Sequence, residues 1–258
     1  MRTRLAALLV GLLVVGLGAT AMAGFLIMGG QQVDTSITLT HLDHAGVMIE
    51  ARGLRIYIDP INLEDNYTQL PADVVLITHH HGDHYQESNV SLLQKEGTIN
   101  VFPAIMSEAI ATHDGVSVVP GDTMTMGSIM ISAFYMYTTA PEGFDSTHPR
   151  ESNYTSYLVD INGFTIFHAG DSRNITEYEQ LSGSVDVALL PIGPGCQTMY
   201  GYEVVDAIEK MQPGYFIPIH TTELNAELFL YTYGDDIEEI SDCQCLVMPD
   251  FSSHVFEP

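Results

Sequence analysis

Residues 72–85, ADVVLITHHHGDHY, join an apolar run to a cluster of four histidines. The run ADVVLIT barely alternates between apolar and polar residues, which predicts a strand buried on both faces. Polar side chains directly after such a strand lie where α/β proteins usually build their sites. A histidine-rich tract can equally be a solvated surface loop, and composition does not separate these two interpretations.

The spacing within the cluster favours a metal site. His79 and His81 are two residues apart, so in an extended segment both side chains point to one side and His80 points to the other. A turn follows, after which Asp83 and His84 are expected at the start of a helix. Two donor pairs aimed at neighbouring points suit two metal ions about 3.5–4 Å apart better than one ion. The arrangement therefore predicts further ligands elsewhere in the chain.

The composition narrows the class of protein. The chain has 258 residues, 46% of them hydrophobic, which is enough for one large domain or two small ones. Its formal net charge of -25 should repel nucleic acid, so no nucleic-acid partner is expected. The three cysteines, Cys196, Cys243 and Cys245, form neither a disulfide framework nor a zinc-finger spacing. Cys196 is interpreted as an ordinary small residue.

The amino-terminal segment is predicted to be a signal peptide or a membrane anchor, residues 1–28. Residues 5–28 are uncharged and almost wholly apolar, and they follow the basic opening MRTR. At about 1.5 Å per residue, such a segment is long enough to cross a bilayer. Small residues near Ala21 and Ala23 also fit signal-peptide cleavage. The basic terminus favours a cytoplasmic start, which predicts an extracytoplasmic domain, secreted or anchored in the membrane by an uncleaved segment.

Residues 29–36 are predicted to be a linker, and residues 37–258 a single α/β domain. An Arg-Gly pair at 52–53 and an Asn-Gly pair at 162–163 each separate two β-like runs, and the second is a strong hairpin signal. Strands in the first two thirds are expected to be mostly antiparallel. DVALLPI, GYEVVDAIEKM and YFIPIH predict strand–helix–strand alternation near the end, and short helices are predicted in QESNVSLLQKEG and MSEAIATHDG.

The tract THHHGDH matches the HxHxDH signature of the metallo-β-lactamase superfamily. Further segments follow in the order and at roughly the intervals of that superfamily: HAGVMIEARGLRIYIDP, HPRESNYTSYLV, IFHAGDS, DVALLPIG and IPIH. Over about residues 37–222 the chain most resembles the metal-dependent hydrolase branch, which is similar to the ascorbate-6-phosphate lactonases. The resemblance implies a four-layer αβ/βα sandwich, here preceded by the N-terminal transmembrane or signal helix.

The resemblance also implies seven metal ligands. One metal would be held by His79, His81 and His148, the other by Asp83, His84 and His220, and Asp171 would bridge both. His148 lies in the loop GFDSTHPRESN, and His113 and His168 are alternatives to it. Neutral imidazoles and carboxylates suit zinc, so two divalent metal ions are expected, zinc first and manganese or iron as alternatives.

Other polar residues are expected around these ligands. His44, Asp59 and His168 either hydrogen-bond the ligands and fix their orientation, or are satisfied polar residues at strand ends. Arg150 and Arg173 each follow an implied ligand by two residues. They are candidates for binding an anionic group of the substrate, with solvated surface arginines as the alternative.

The expected reaction is hydrolysis of a small ester, lactone or phosphoester by a hydroxide bridging two divalent metals. Asp83 or a water would carry the proton to the leaving group, and Asp171 would bridge the ions, so these two are the candidate catalytic residues. The expected partner is a small-molecule substrate. Two alternatives remain: a phosphodiesterase or lipid-headgroup hydrolase at the membrane surface, and a non-catalytic metal-binding protein of the same fold.

Overall fold

The computed structural model describes residues 35–258, which contain fourteen strands and four α-helices. The strands are β1 (Ile37–His41), β2 (Val47–Ala51), β3 (Leu54–Ile58), β4 (Val74–Leu76), β5 (Ile99–Pro103), β6 (Val116–Val118), β7 (Thr123–Met126), β8 (Ile129–Tyr135), β9 (Thr155–Ile161), β10 (Phe164–His168), β11 (Val187–Pro191), β12 (Tyr215–Ile219), β13 (Gln244–Cys245) and β14 (Ser253–Phe256). The helices are α1 (Glu87–Leu92), α2 (Ser107–Thr112), α3 (Gly201–Met211) and α4 (Glu223–Ile240).

Two seven-stranded sheets form the frame of the domain. The first has the order β14-β1-β2-β3-β4-β5-β6, and the second has the order β13-β12-β11-β10-β9-β8-β7. Apolar side chains of both sheets meet in one core, which includes Leu39, Ile49 and Val74 of the first sheet and Val159 and Ile217 of the second. Because strand side chains alternate between faces, each sheet also has an outer face to cover.

Helices cover these outer faces. On the first sheet, Val90 of α1 and Ala109 of α2 pack with Tyr57 and Phe102. On the second sheet, α3 packs through one apolar face whose buried residues recur at helical spacing. These residues are Val204, Ala207, Ile208 and Met211. Side chains of α4 join the same cluster.

Both predicted two-residue turns are confirmed. β2 and β3 pair antiparallel with Ala51 opposite Leu54, and β9 and β10 pair antiparallel with Ile161 opposite Phe164. Asn162 has φ 56°, in the left-handed region that asparagine tolerates. The second turn therefore fixes the register of β10 and of the residues that follow it.

The expectation about strand direction is confirmed, whereas the expectation about helix position was wrong. Strands in the first two thirds of the chain pair mostly antiparallel, although β3, β4, β5 and β6 form a parallel run within the first sheet. Parallel neighbours need crossover connections, and the segments containing α1 and α2 supply them. The helix expected at Asp83 begins only at Glu87, because the His84 N–H donates to the His81 carbonyl oxygen (2.9 Å) and closes a turn.

The loops that follow the parallel strands meet at one edge of the domain. β3 and β4 in the first sheet and β10, β11 and β12 in the second each end just before such a loop. The Tyr157 hydroxyl of β9 donates to the Ile77 carbonyl oxygen (2.9 Å), and the Thr155 N–H donates to the Thr78 carbonyl oxygen (3.2 Å). These bonds join the second sheet to the loop after β4, so both sheets deliver polar residues to the same place.

The predicted fold class needs a correction. An α/β four-layer sandwich preceded by an N-terminal transmembrane or signal helix was expected, whereas the structure supports a two-sheet α/β fold. Between residues 35 and 258, no helix is both long and apolar enough to cross a membrane. The 18-residue α4 carries acidic side chains along its length. The signal peptide or anchor predicted at 1–28 lies outside the described residues, as does most of the linker predicted at 29–36.

Candidate metal centre

The loops at this edge bring together residues from distant parts of the sequence. His79 lies three residues after β4, Asp171 lies three residues after β10, and His220 directly follows β12. His148 comes from the loop between β8 and β9, and His44 from the turn after β1. All seven residues implied as ligands therefore lie at this edge.

Together with His44, these seven residues form two groups of four, and within each group all donor atoms lie within 4.8 Å of one another. The first group consists of His79, His81, His148 and Asp171. The second group consists of His44, Asp83, His84 and His220. The structure thus brings the seven implied ligands together and places His44 in the second group, although His44 was expected either to hydrogen-bond a ligand or to be a satisfied polar residue at a strand end.

Asp171 lies between the two groups. Its Oδ1 is 2.9 Å from His84 Nε2 and 3.3 Å from His220 Nε2, both in the second group. Its Oδ2 is 3.6 Å from His148 Nε2 and 3.8 Å from His79 Nε2, both in the first group. One carboxylate oxygen therefore faces each group.

Several donors are buried without the hydrogen bonds that buried polar atoms normally make. The side chains of His79 and Asp171 are 0% exposed, yet His79 Nε2 and both carboxylate oxygens of Asp171 make no hydrogen bond. His220 Nε2 also makes none. Unsatisfied buried polar atoms are costly, and imidazole nitrogens and carboxylate oxygens that converge on one point are donors for divalent transition metals. The residues present therefore fit a metal centre.

Asp59 orients one histidine in each group. Its Oδ2 accepts hydrogen bonds from His84 Nδ1 (2.7 Å) and from the Thr78 hydroxyl (2.6 Å). Thr78 Oγ1 in turn accepts from His79 Nδ1 (3.0 Å). With Nδ1 of both rings donating, Nε2 of each ring is the atom left to bind a metal, and any proton on it would be released on binding. These contacts favour the interpretation that Asp59 fixes ligand orientation.

His148, not His113 or His168, completes the first group. Its Nε2 is 3.2 Å from His81 Nδ1, and its Nδ1 lies 3.0 Å from Thr147 Oγ1. His113 instead hydrogen-bonds a tyrosine hydroxyl (3.2 Å) outside both groups.

His168 lies beside the centre. Its Nε2 donates to the Ala45 carbonyl oxygen (2.7 Å), and its Nδ1 accepts from the Gly170 N–H (3.2 Å). The ring therefore ties the residue after His44 to the residue before Asp171. Because both contacts are to backbone atoms and His168 ends β10, the ring fits the alternative of a satisfied polar residue at a strand end beside the site.

Three residues at the centre have φ in the left-handed region, where residues other than glycine are uncommon: His44 (62°), Asp59 (48°) and His220 (57°). The His220 N–H donates to the His44 carbonyl oxygen (3.0 Å), which couples two of these turns. Gly170 also has φ +57°, and a Cβ there would lie 2.6 Å from Met136 Sδ. Such conformations persist where the surrounding structure fixes them, and they cluster at functional sites.

Opposite charges determine the protonation states in the centre. Burial raises the pKa of Asp171, but His84 and His220 outweigh burial and hold that pKa well below its usual range. Burial lowers the pKa values of His84 and His220, but the neighbouring carboxylates, Asp171 first, raise them to about 10 and about 9. His220 and His44 hold the pKa of Asp83 well below its usual range. Both aspartates are therefore ionised, as metal ligands must be.

The candidate substrate-binding residues, Arg150 and Arg173, are each held by a carboxylate. Arg150 Nη2 lies 2.5 Å from Glu177 Oε1, and its Nη1 donates to the Tyr137 hydroxyl (3.0 Å). Arg173 Nε donates to Glu203 Oε1 (2.8 Å). These pairs neutralise both guanidinium groups, so the geometry does not favour the predicted role in binding an anion.

A cleft of about 410 Å³ opens onto the second group. His44 and His220 form part of its wall, together with the acidic side chains of Asp43, Glu223 and Asp250. The second group is therefore the side of the centre that faces solvent.

His80 lies outside both groups, and its Nδ1 is 2.7 Å from the Tyr154 hydroxyl. Both residues line a second cleft, of about 590 Å³, with Tyr85, Glu87 and Glu108. Acidic side chains therefore border both clefts.

Cys196 was not expected at the centre. It lies in the 3-10 turn Gly195–Gln197 after β11, and its Sγ joins donor atoms of Asp171 and His220 in a third group within 4.8 Å. Its local sequence, GPGCQT, has no metal-binding spacing. One feature of the sequence could have indicated that Cys196 and His44 lie at the site. Each is in a loop that follows a buried strand.

Known proteins share both the sequence pattern and the fold. The family model described as the Beta-lactamase superfamily domain matches residues 38–220. A UPF0173 metal-dependent hydrolase from Thermococcus onnurineus is 30% identical over 196 residues, which cover 71% of this chain and 84% of that relative.

Solved structures extend the comparison of the fold. Igni18, a metallo hydrolase from Ignicoccus hospitalis, has a TM-score of 0.70 at 20% identity and covers 87% of this chain and 100% of its own. CmlA, a diiron beta-hydroxylase from Streptomyces venezuelae, has a TM-score of 0.64 at 15% identity and covers 86% of this chain and 54% of its own. At these identities the similarity establishes the fold alone, and a fold by itself does not determine a reaction.

Proposed function

Because the chain belongs to the metallo-β-lactamase superfamily and surrounds one buried carboxylate with two donor groups, we propose that it is a hydrolase with two divalent metal ions. Metal-dependent hydrolysis is also the activity for which its relatives are named. The observation that carries the two-ion proposal is Asp171, because each of its oxygens faces a different donor group. A single ion would need donors on only one side of this carboxylate.

The donor set favours zinc, with manganese or iron as alternatives, because imidazole and carboxylate ligands suit these ions. The first ion would be held by His79, His81, His148 and Asp171, and the second by Asp83, His84, His220 and Asp171. Bound there, the ions would polarise the oxygen of the scissile bond and lower the pKa of the attacking water.

The protein's own residues orient the ligands and transfer the proton. Asp59 fixes the rings of His79 and His84, one in each group. The side chain of Asp83 is 42% exposed, and His220 and His44 keep its carboxylate ionised. Its exposure lets Asp83 pass a proton between solvent and the leaving group, but its contacts with His220 and His44 must loosen first, because a carboxylate with so low a pKa is a weak base.

An uncharged ester or lactone fits the surroundings of the centre better than a phosphoester. Arg150 forms an ion pair with Glu177, and Arg173 forms one with Glu203. Both clefts are also lined by acidic side chains. A negatively charged substrate would meet acidic walls and two paired arginines, so the bound ions alone would have to attract it.

The test is metal content followed by a substrate panel. The purified full-length protein is expected to contain about two equivalents of metal by elemental analysis. After reconstitution with zinc, manganese or iron it should hydrolyse uncharged esters or lactones faster than phosphoesters. His79→Ala should lose activity, whereas His254→Ala, which changes a histidine of β14 outside both groups, should retain it.

Three outcomes contradict the proposal. Far less than one equivalent of metal would refute the metal centre. Full metal content without hydrolysis across the panel would identify a non-catalytic metal-binding protein of the same fold. A preference for phosphoesters would contradict the proposed substrate class.

A further inference from the structure

Cys196 lies over the open side of the candidate metal centre. Its Sγ, a carboxylate oxygen of Asp171 and a ring nitrogen of His220 all lie within 4.8 Å of one another. Zinc binds nitrogen at about 2.0–2.1 Å and thiolate sulfur at about 2.3 Å, so nitrogen and sulfur donors on one ion are at most about 4.4 Å apart. The 4.8 Å limit slightly exceeds this maximum, so the three donors would draw closer together to share one ion.

The two neighbours of Cys196 carry unsatisfied donor atoms of the metal centre described above. The side chain of Asp171 is 0% exposed, and neither of its carboxylate oxygens makes a hydrogen bond. The side chain of His220 is 8% exposed, and its Nε2 makes no hydrogen bond either. Two buried, unsatisfied donors thus converge on the place that the thiol borders.

The turn that carries Cys196 is held in place. Cys196 (φ 51°) and Gln197 (φ 62°) both adopt the left-handed region. The Thr147 hydroxyl donates to the Cys196 carbonyl oxygen, and Gln197 Oε1 accepts from the Thr147 N–H (2.9 Å). Because Thr147 Oγ1 also contacts His148 Nδ1 (3.0 Å), the turn is tied to a residue of the first donor group.

We propose that the Cys196 thiolate is an additional ligand of the metal ion held by His220 and Asp171. This inference rests on the metal centre proposed above. On binding, the S–H bond breaks, an Sγ–metal bond forms and the proton leaves to solvent, with no change of oxidation state. Thiolate is a soft ligand, so this ligand makes the open site selective for zinc, cobalt or cadmium over manganese.

The test uses full-length protein reconstituted with Co²⁺, because a thiolate bound to Co²⁺ gives a ligand-to-metal charge-transfer absorption in the near ultraviolet. Wild type should show this band. The Cys243→Ser/Cys245→Ser double variant should keep it, since Cys196 is then its only thiol. Cys196→Ser should lose the band and bind zinc about 10- to 100-fold more weakly, while its manganese affinity stays unchanged.

A second measurement does not depend on the folding of Cys196→Ser. In the double variant, zinc should slow alkylation of Cys196 by iodoacetamide strongly, although the residue is exposed. Equal alkylation rates with and without zinc would overturn the inference, as would a charge-transfer band that persists in Cys196→Ser. Two bound cobalt ions without a band in wild type refute the cysteine ligand alone, whereas no bound metal refutes the metal centre as well.

Discussion

The two donor groups differ in how they meet solvent. In the first group, the side chains of His79, His148 and Asp171 are 0% exposed. In the second group, His44 is 28% exposed and Asp83 is 42% exposed, and a cleft opens onto His44 and His220. We call the first group, in which only His81 is partly exposed, the closed group, and the second group, in which only His84 is fully buried, the open group.

This difference suggests that the two donor groups have different roles. The mostly buried first group should hold its ion more firmly, because water and competing ligands reach it less easily. An open group exchanges its ion more easily and leaves room for a substrate. We therefore expect the first group to anchor the centre and the second to meet the substrate and release the leaving group.

Asp171→Ala should have the largest effect, because it removes the carboxylate shared by both groups. We expect activity to fall to the background rate and bound metal to fall below one equivalent. Elemental analysis and hydrolysis of the best panel substrate measure both effects. An active variant with two bound ions would show that Asp171 does not join the groups.

Substituting one histidine from each group should distinguish the metal binding of the two groups. His79→Ala is expected to destabilise the closed group and cost both ions, whereas His220→Ala should cost mainly the ion of the open group. The measurement is metal content during stepwise dialysis against a chelator. Equal losses from both variants would contradict the division between a closed and an open group.

Asp59→Asn should weaken both groups together, because Asp59 orients His84 directly and His79 through Thr78. We expect metal affinity or activity to fall about 10- to 100-fold, the usual effect of removing such a hydrogen-bond partner. Titration with zinc against a competing chelator measures the affinity. A loss confined to one ion would show that the hydrogen-bond chain through Thr78 does not matter.

His168 should contribute a pH dependence to the stability of the frame that both groups share. Burial lowers its pKa in the folded protein, so the unfolded state binds the proton more readily. Its stabilising contribution is therefore present above the unfolded pKa of about 6.5 and is lost as pH falls below it, by at most about 1.4 kcal/mol per pH unit. Urea unfolding of metal-free protein at several pH values should show this loss in wild type and a smaller loss in His168→Gln.

Arg150→Ala should have the smallest effect on catalysis. Arg150 is paired with Glu177 and stacks over the rings of Tyr135 and Tyr137, outside both donor groups. With an uncharged ester or lactone, we expect wild-type kcat and KM. A raised KM that is restored by Arg150→Lys would instead assign Arg150 to substrate binding.

The sequence by itself determined the parts of this protein that depend on near neighbours. The apolar run before Thr78 predicted a buried strand, and β4 is fully buried. The spacing of His79, His81 and Asp83 predicted two sets of donors, because side-chain direction in a strand or turn follows from the positions along the chain. The Asn-Gly pair at 162–163 predicted its hairpin for the same reason.

Tertiary structure alone decided the features that depend on distant pairing. Strand direction in the first sheet follows from which strands become neighbours, so the parallel pairs of β3 to β6 were not apparent from local patterns. The approach of His44 and Cys196 to the centre likewise depends on β1 and β11 ending at the same edge as β4, β10 and β12. The local sequence does not predict this contact, because packing of the two sheets brings these loops together.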